Sequence, residues 1–171
     1  QPFAVTEAGT FNEPWAMAFL PDGRALITEK SGKLKIWREG QGIANVSGVP
    51  AISDAGQGGL GDVMPHPGFA KNRLVYLSWV EAEGDGKGAV VGRAKLIEDN
   101  AGARLDGLQV IWRQSPKVTG NGHFGHRIAF GPDGKLYISS GERQKFDPAQ
   151  DLAMNLGKVV RLNDDGSVPS D

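Results

Sequence analysis

The stretch Ala18-Phe-Leu-Pro21-Asp22-Gly23-Arg-Ala-Leu-Ile-Thr28 returns as Ala129-Phe-Gly-Pro132-Asp133-Gly134-Lys-Leu-Tyr-Ile-Ser139. A longer-turn version lies between them, Met64-Pro-His-Pro67-Gly-Phe-Ala-Lys-Asn-Arg-Leu-Val-Tyr-Leu-Ser78. Each copy is an apolar run, a turn and a second apolar run. Proline presets φ for such a turn, aspartate offers a local acceptor, and glycine frees φ. A repeated strand-turn-strand unit constrains the fold strongly, because a sandwich of unrelated hairpins needs no self-similarity. The central prolines Pro21, Pro67 and Pro132 are unevenly spaced, which suits four-stranded propeller blades of roughly 40 to 50 residues with insertions between them.

Taken in order, the chain reads as three antiparallel meanders. The first runs from Trp15 to Trp37, and residues 38 to 56 read as a polar, glycine-containing connection. The second comprises Asp62–Met64, a turn on Pro65–Pro67, Leu74–Val80, a hydrophilic tip at Glu81–Gly88, Ala89–Leu96 and a fourth run around Gln109–Trp112. The third begins at a glycine-rich loop, continues through Ile128–Phe130 and Leu136–Ser139, crosses a long loop from Glu142 to Asn155, and ends with Lys158–Leu162. The expected fold class is therefore all-β, a partial β-propeller with blade-like units at about 1–50, 51–118 and 119–171. Closed propellers use about four to eight blades, so three blades predict the front part of a longer protein, and a lone half-ring would expose terminal faces and strand edges. Trp15, Trp37, Trp79 and Trp112 fall in or beside apolar runs and are expected to pack in the core or between blades.

Composition narrows the function classes. The 171 residues carry a net charge of −1 with the signs interspersed, so nothing suggests a basic nucleic-acid surface, a polybasic membrane patch or an acidic tail. The 25 glycines and 10 prolines are spread between apolar runs and punctuate short strands. No apolar run approaches the roughly 20 residues of a membrane span. There is no cysteine, which removes disulfides, thiolate metal sites and cysteine nucleophiles. An opening at Gln1 without a leader suits a mature exported protein and equally a trimmed chain. Asn45-Val46-Ser47 matches the glycosylation pattern, which matters only in a eukaryotic secretory path.

Two Gly-x-Gly-x-x-Gly matches occur, at Gly56–Gly61 and Gly120–Gly125, but neither opens a helix, so a dinucleotide site is not expected. Glycine there suits unusual φ values and close approach of a ligand or backbone. His123 and His126 are three apart in a segment running from loop into strand, where such positions face opposite sides, so the pair does not read as a metal site. His123 stands among glycines that would leave room for a substrate, and histidine is the residue type most often used as a general base; a loop histidine bonded to backbone is the other reading. Gln57, among the glycines of the preceding blade, holds a polar ligand or caps its own loop. Asp147, Gln150 and Asp151 lie in a polar loop where solvated side chains are the default.

Several ordered motifs together resemble the soluble glucose/sorbosone dehydrogenase family, the aldose sugar dehydrogenases in particular. They are Gln57-Gly-Gly-Leu-Gly-Asp-Val, His66-Pro67, Asn72-Arg-Leu-Val-Tyr-Leu-Ser, Gly122-His-Phe-Gly-His-Arg-Ile-Ala-Phe-Gly-Pro-Asp-Gly, Asp147-Pro-Ala-Gln-Asp, Leu156-Gly-Lys-Val-Val-Arg-Leu-Asn and Asp165-Gly-Ser-Val-Pro. The resemblance implies a six-bladed propeller, periplasmic or secreted. It would use pyrroloquinoline quinone with calcium to oxidise the anomeric carbon of an aldose to a lactone, passing electrons to an external acceptor. In that resemblance His123 matches the catalytic base and Gln57 a cofactor-contacting glutamine. Glucose-specific members carry an aspartate before the histidine, whereas this chain has Gly122, so the partner of the base is missing or comes from elsewhere. The cations for the quinone carboxylates and the calcium ligands are expected outside residues 1–171, and no metal ligand is expected within them. The 171-residue chain alone is accordingly expected to hold no stable cofactor and show no turnover. Two other classes compete: a non-enzymatic binding or scaffold propeller, since fold alone does not deliver function, and a calcium-dependent propeller lactonase, whose hard-cation ligand set Gln57 and His123 match poorly.

Overall fold

A computed structural model describes residues 2–171; Gln1, the residue on which the reading of a processed start rests, lies outside them. Among the described residues eleven strands form two sheets. The first blade is β1 (Pro14–Phe19), β2 (Ala25–Glu29), β3 (Lys33–Arg38) and β4 (Gly42–Ser47), an antiparallel meander. The second is β5 (Leu60–Pro65), β6 (Leu74–Glu83), β7 (Gly86–Asp99) and β8 (Gly102–Arg113), likewise antiparallel. A single helical turn, α1 (Phe69–Asn72), sits between β5 and β6. The third is β9 (Gly125–Phe130), β10 (Leu136–Ser140) and β11 (Lys158–Leu162). The outer strands of the first two blades also meet, β4 and β8 pairing in parallel through Val46↔Ala103 and Ser47↔Arg104. The architecture is a partial β-propeller.

Strand alternation builds the two cores. On β6, Val75, Leu77 and Trp79 face the first blade and pack with Leu26, Leu34, Ile36, Val63 and Leu96. Tyr76 and Val80 point the other way, into a second cluster with Val91, Trp112, Phe124, Ile128, Leu136 and Ile138. A middle blade covered on both faces needs apolar residues at successive positions, which is why Leu74–Val80 reads as a nearly unbroken hydrophobic run. The innermost strand β5 lies against β1 and β2 on one side and β9 on the other.

Several expectations need correction. Residues 38 to 56 are not all connection, because they contain β4. Only Val46 of that strand is buried, so it shows no alternation for a sequence reading to find. The fourth run at Gln109–Trp112 is the end of a 12-residue strand, β8, whose polar outer positions hide its start. Trp79 and Trp112 do sit in the core. Trp15 does not: it is 51% exposed, with Met17 and Phe19 beside it on the face of β1 turned away from the second blade. Trp37 is half-buried, its indole N–H donating to the Ala8 carbonyl at 2.8 Å.

Candidate functional site

The two loops at the front of β5 and β9 form one structure. The backbone N–H of Gln57 donates to the Asn121 carbonyl at 2.8 Å, and the Gln57 side-chain Oε1 accepts from the backbone N–H of His123, also at 2.8 Å. The Gln57 loop is pinned in turn to the middle blade, Ser53 N–H on the Val80 carbonyl and Val80 N–H on the Gly59 carbonyl. The two candidate residues thus stand side by side on loops anchored to sheet.

From residue 121 to 129 burial alternates strictly, with His123 on the exposed side and His126 on the buried side. The His123 side chain is 51% exposed. His126 is buried between blades, its Nδ1 2.8 Å from Ser78 Oγ, and that hydroxyl also accepts from the Asp62 N–H at 2.8 Å. His126 Nδ1 is the one acceptor within hydrogen-bond reach of the Ser78 hydroxyl among the described residues, so the serine proton goes there. Burial pushes His126 down to about 4, so it stays neutral near pH 7. Gly61 makes the room for this ring, because a Cβ there would fall inside the imidazole. The two histidines share no ligand, and among the described residues no group of three histidine or acidic side chains converges to hold a metal.

The partner of His123 is Glu142. Its Oε1 bonds His123 Nδ1, while its Oε2 accepts from the backbone N–H groups of Lys145 at 2.8 Å and Phe146 at 3.2 Å. The imidazole first, and then the Phe146 amide, hold the Glu142 carboxyl down to about 2. A carboxylate can only accept, so Nδ1 carries the proton and Nε2 keeps its lone pair. The position before His123 is Gly122, and the charge that orients the base arrives instead from the far strand of the hairpin. That hairpin explains the meeting: a register shift sets Ser140 opposite Gly125, and two steps on Glu142 comes level with His123.

A second carboxamide borders the site. A Cβ built on Gly122 would lie 2.8 Å from Gln144 Oε1 and 3.4 Å from Gln57 Oε1, so the two amides flank this glycine. Both glutamines are exposed, and among the described residues neither side-chain NH2 has a hydrogen-bond partner. The backbone here is costly to hold. His123, His126, Arg143, Gln144 and Phe146 all have positive φ, between 51° and 61°, a region that non-glycine residues rarely adopt. Beneath, Gln114 is buried and its Nε2 donates to Ser140 Oγ and the Gly141 carbonyl, both at 2.9 Å, joining β8 to the hairpin. Asp147, Gln150 and Asp151 stay at the surface, Asp147 and Gln150 in a short 3-10 turn and Asp151 accepting from the Ala153 N–H of its own loop.

An exposed imidazole oriented by a carboxylate, with two free carboxamide NH2 groups close by, is equipped to take a proton from a polar substrate. The Glucose / Sorbosone dehydrogenase family profile matches residues 11–171. The chain belongs to that family. It is similar to the aldose sugar dehydrogenase YliI of Escherichia coli K12, 43% identical over 163 residues, which are 94% of this chain and 43% of that protein. The apo-form structure of the soluble aldose sugar dehydrogenase from Escherichia coli superposes with a TM-score of 0.86 at 41% identity, over 94% of this chain and 46% of that one. The pyrroloquinoline quinone-bound form of the aldose sugar dehydrogenase from Streptomyces coelicolor gives 0.81 at 30%, over 93% and 47%. The chain thus spans less than half the length of these relatives.

Glu142, Arg143 and Gln144 escaped the sequence reading as members of the site. One signal for them exists: they follow Gly141 at the exit of the strand that pairs with β9, so the hairpin brings them to the histidine loop.

Proposed function

We propose that this chain carries the base of a sugar dehydrogenase site that oxidises the anomeric carbon of an aldose to the lactone. The observation behind the proposal is the His123–Glu142 pair beside Gln57, in a chain whose relatives are named aldose sugar dehydrogenases. His123 Nε2 takes the proton of the anomeric hydroxyl while that carbon gives up its hydrogen with the bonding electrons. The imidazolium so formed is stabilised by the Glu142 carboxylate, which stays ionised throughout the working range. Gln57 holds the His123 backbone through its Oε1, and the amide NH2 groups of Gln57 and Gln144 supply donors for hydroxyl or carbonyl oxygens.

Pyrroloquinoline quinone, when bound, supplies the two-electron hydride sink. The residues present fit one side of such a group, because the free carboxamide donors of Gln57 and Gln144 suit quinone oxygens. The same family reading assigns the cations for its carboxylates and the ligands of a calcium ion to the rest of the protein. Delivery of electrons to an external acceptor and an exported location extend the same family reading.

The test is dye-linked aldose oxidation by the full-length protein, reconstituted with pyrroloquinoline quinone and calcium, beside the same protein carrying His123→Ala. Activity that requires both additives and collapses in the variant supports the proposal. Quinone binding without oxidation of any common aldose, or full activity in His123→Ala, overturns it.

A further inference from the structure

Arg143 is the largest fully buried side chain among the described residues, and it makes no ion pair with a carboxylate. Its Nε donates to the Gly122 carbonyl at 2.8 Å, one terminal nitrogen to the Gly120 carbonyl at 2.7 Å, and the other to the Lys87 carbonyl on β7. Its carbon Cζ lies 3.7 Å over the Phe124 ring, and its backbone N–H donates to the His123 carbonyl at 3.2 Å. Burial, offset in part by the nearby Glu142 charge, pushes the guanidinium down to about 10, so it remains a cation near neutral pH.

This placement has a reason in the loop itself. Residues 119 to 124 form no regular ladder, and buried carbonyls without partners are costly. Arginine alone offers five donors in a rigid fork. The side chain thereby touches residues 120, 122 and 124 of the loop, the Arg143 backbone N–H holds the His123 carbonyl, and the guanidinium fastens the loop to the middle blade. It does so from the position next to Glu142. We propose that Arg143 is a positioning residue for His123: its buried guanidinium fixes the histidine loop against β7 and the β10 exit, so that Nδ1 meets Glu142 and Nε2 stays open. The proposal rests on the reading of His123 as a base, and it is tested by a measurement that needs no activity.

In the full-length protein with 15N-labelled imidazoles, the His123, His66 and His126 ring signals are each assigned as those lost when that histidine is replaced. In the wild type His123 should show the neutral Nδ1–H form, the tautomer that free histidine disfavours. In Arg143→Met the ratio of Nδ1–H to Nε2–H at His123 should fall by about ten- to a hundredfold, the worth of one hydrogen bond to a charged group, while the His66 and His126 signals keep their wild-type positions. Arg143→Lys, which retains the charge and can reach one carbonyl, should fall between the two, and it is the variant read if Arg143→Met does not fold. Methylguanidine added to Arg143→Met should restore part of the ratio. An unchanged His123 tautomer in a folded variant, with only a lower melting temperature, would show a purely structural arginine and overturn the proposal. If instead the tautomer shifts as expected but His123→Ala leaves sugar oxidation intact, the lock stands and the dehydrogenase reading falls.

Discussion

Acidification from pH 7 to 5 should cost the folded chain about 2 kcal/mol through one side chain, His126. Its folded pKa is lowered from 6.5 to about 4 because burial disfavours the imidazolium. The unfolded chain, with the group near 6.5, therefore binds more protons between these values, and stability rises with pH there. The stabilisation is complete above about 6.5 and is lost as the pH falls toward about 4. Across the whole window the loss approaches about 3 kcal/mol, of which about 2 kcal/mol accrues by pH 5. Carboxylates add little above pH 5: Glu142 is lowered, and its contribution disappears only below the ordinary glutamate range. Asp62 runs the other way, raised by burial, with a contribution lost as pH rises through its folded value. Both are present in wild type and variant alike, so urea unfolding of wild type and His126→Gln at pH 7, 6 and 5 isolates the histidine. The variant should be less stable at pH 7 and should lose less stability on acidification, its curve converging toward the wild-type curve by pH 5. Parallel curves would mean that His126 does not titrate between the two states, and the reasoning from its burial would be wrong.

Glu142→Gln should lower kcat for sugar oxidation in the reconstituted full-length protein by about a hundredfold or more, with the 15N tautomer of His123 shifting at the same time. Gly61→Ala should destabilise by about 1–3 kcal/mol in thermal or urea unfolding, because its Cβ meets the His126 ring in a packed core. Gly122→Ala should cost less than about 1 kcal/mol, since the atom its Cβ meets is the free end of the exposed Gln144 side chain; a larger loss of melting temperature would mean Gln144 is held in place. Asp62→Ala should cost about 2 kcal/mol or more, because the Val63 and Ile128 N–H groups lose their acceptor inside the protein.

The propeller was legible because its information is local and repeated. Pro-Asp-Gly turns mark hairpins, and the doubly buried β6 gives an apolar run with no polar face. The outer strands were not legible: β4 is nearly all exposed, and solvent imposes no period on a strand that has no buried face to protect. His123 and Gln57 stood out as polar residues in glycine-rich surroundings, and the structure joins them by a hydrogen bond. Glu142 and Arg143 did not, because what brings them to His123 is a bulge that offsets the hairpin register by one residue. A strand pattern carries no record of such an offset. Arg143 is also the kind of residue that composition assigns to the surface, and only the unpaired carbonyls of an irregular loop explain why it is inside.

The parallel contact of β4 with β8 gives the chain unequal mechanical units. Blades in a ring can hold one another by face packing alone, but here backbone rungs at the outer rim make the first two blades a single eight-stranded sheet. Opening either one breaks ladder bonds in both, so their amides should exchange with solvent as one slow group. The three-stranded third blade shares no such rung and should open at lower free energy. His123 thus rides on the looser unit while Gln57 rides on the firmer one. The hydrogen bond between them crosses the boundary, so protection of the His123 amide reports directly on how often the two parts come apart.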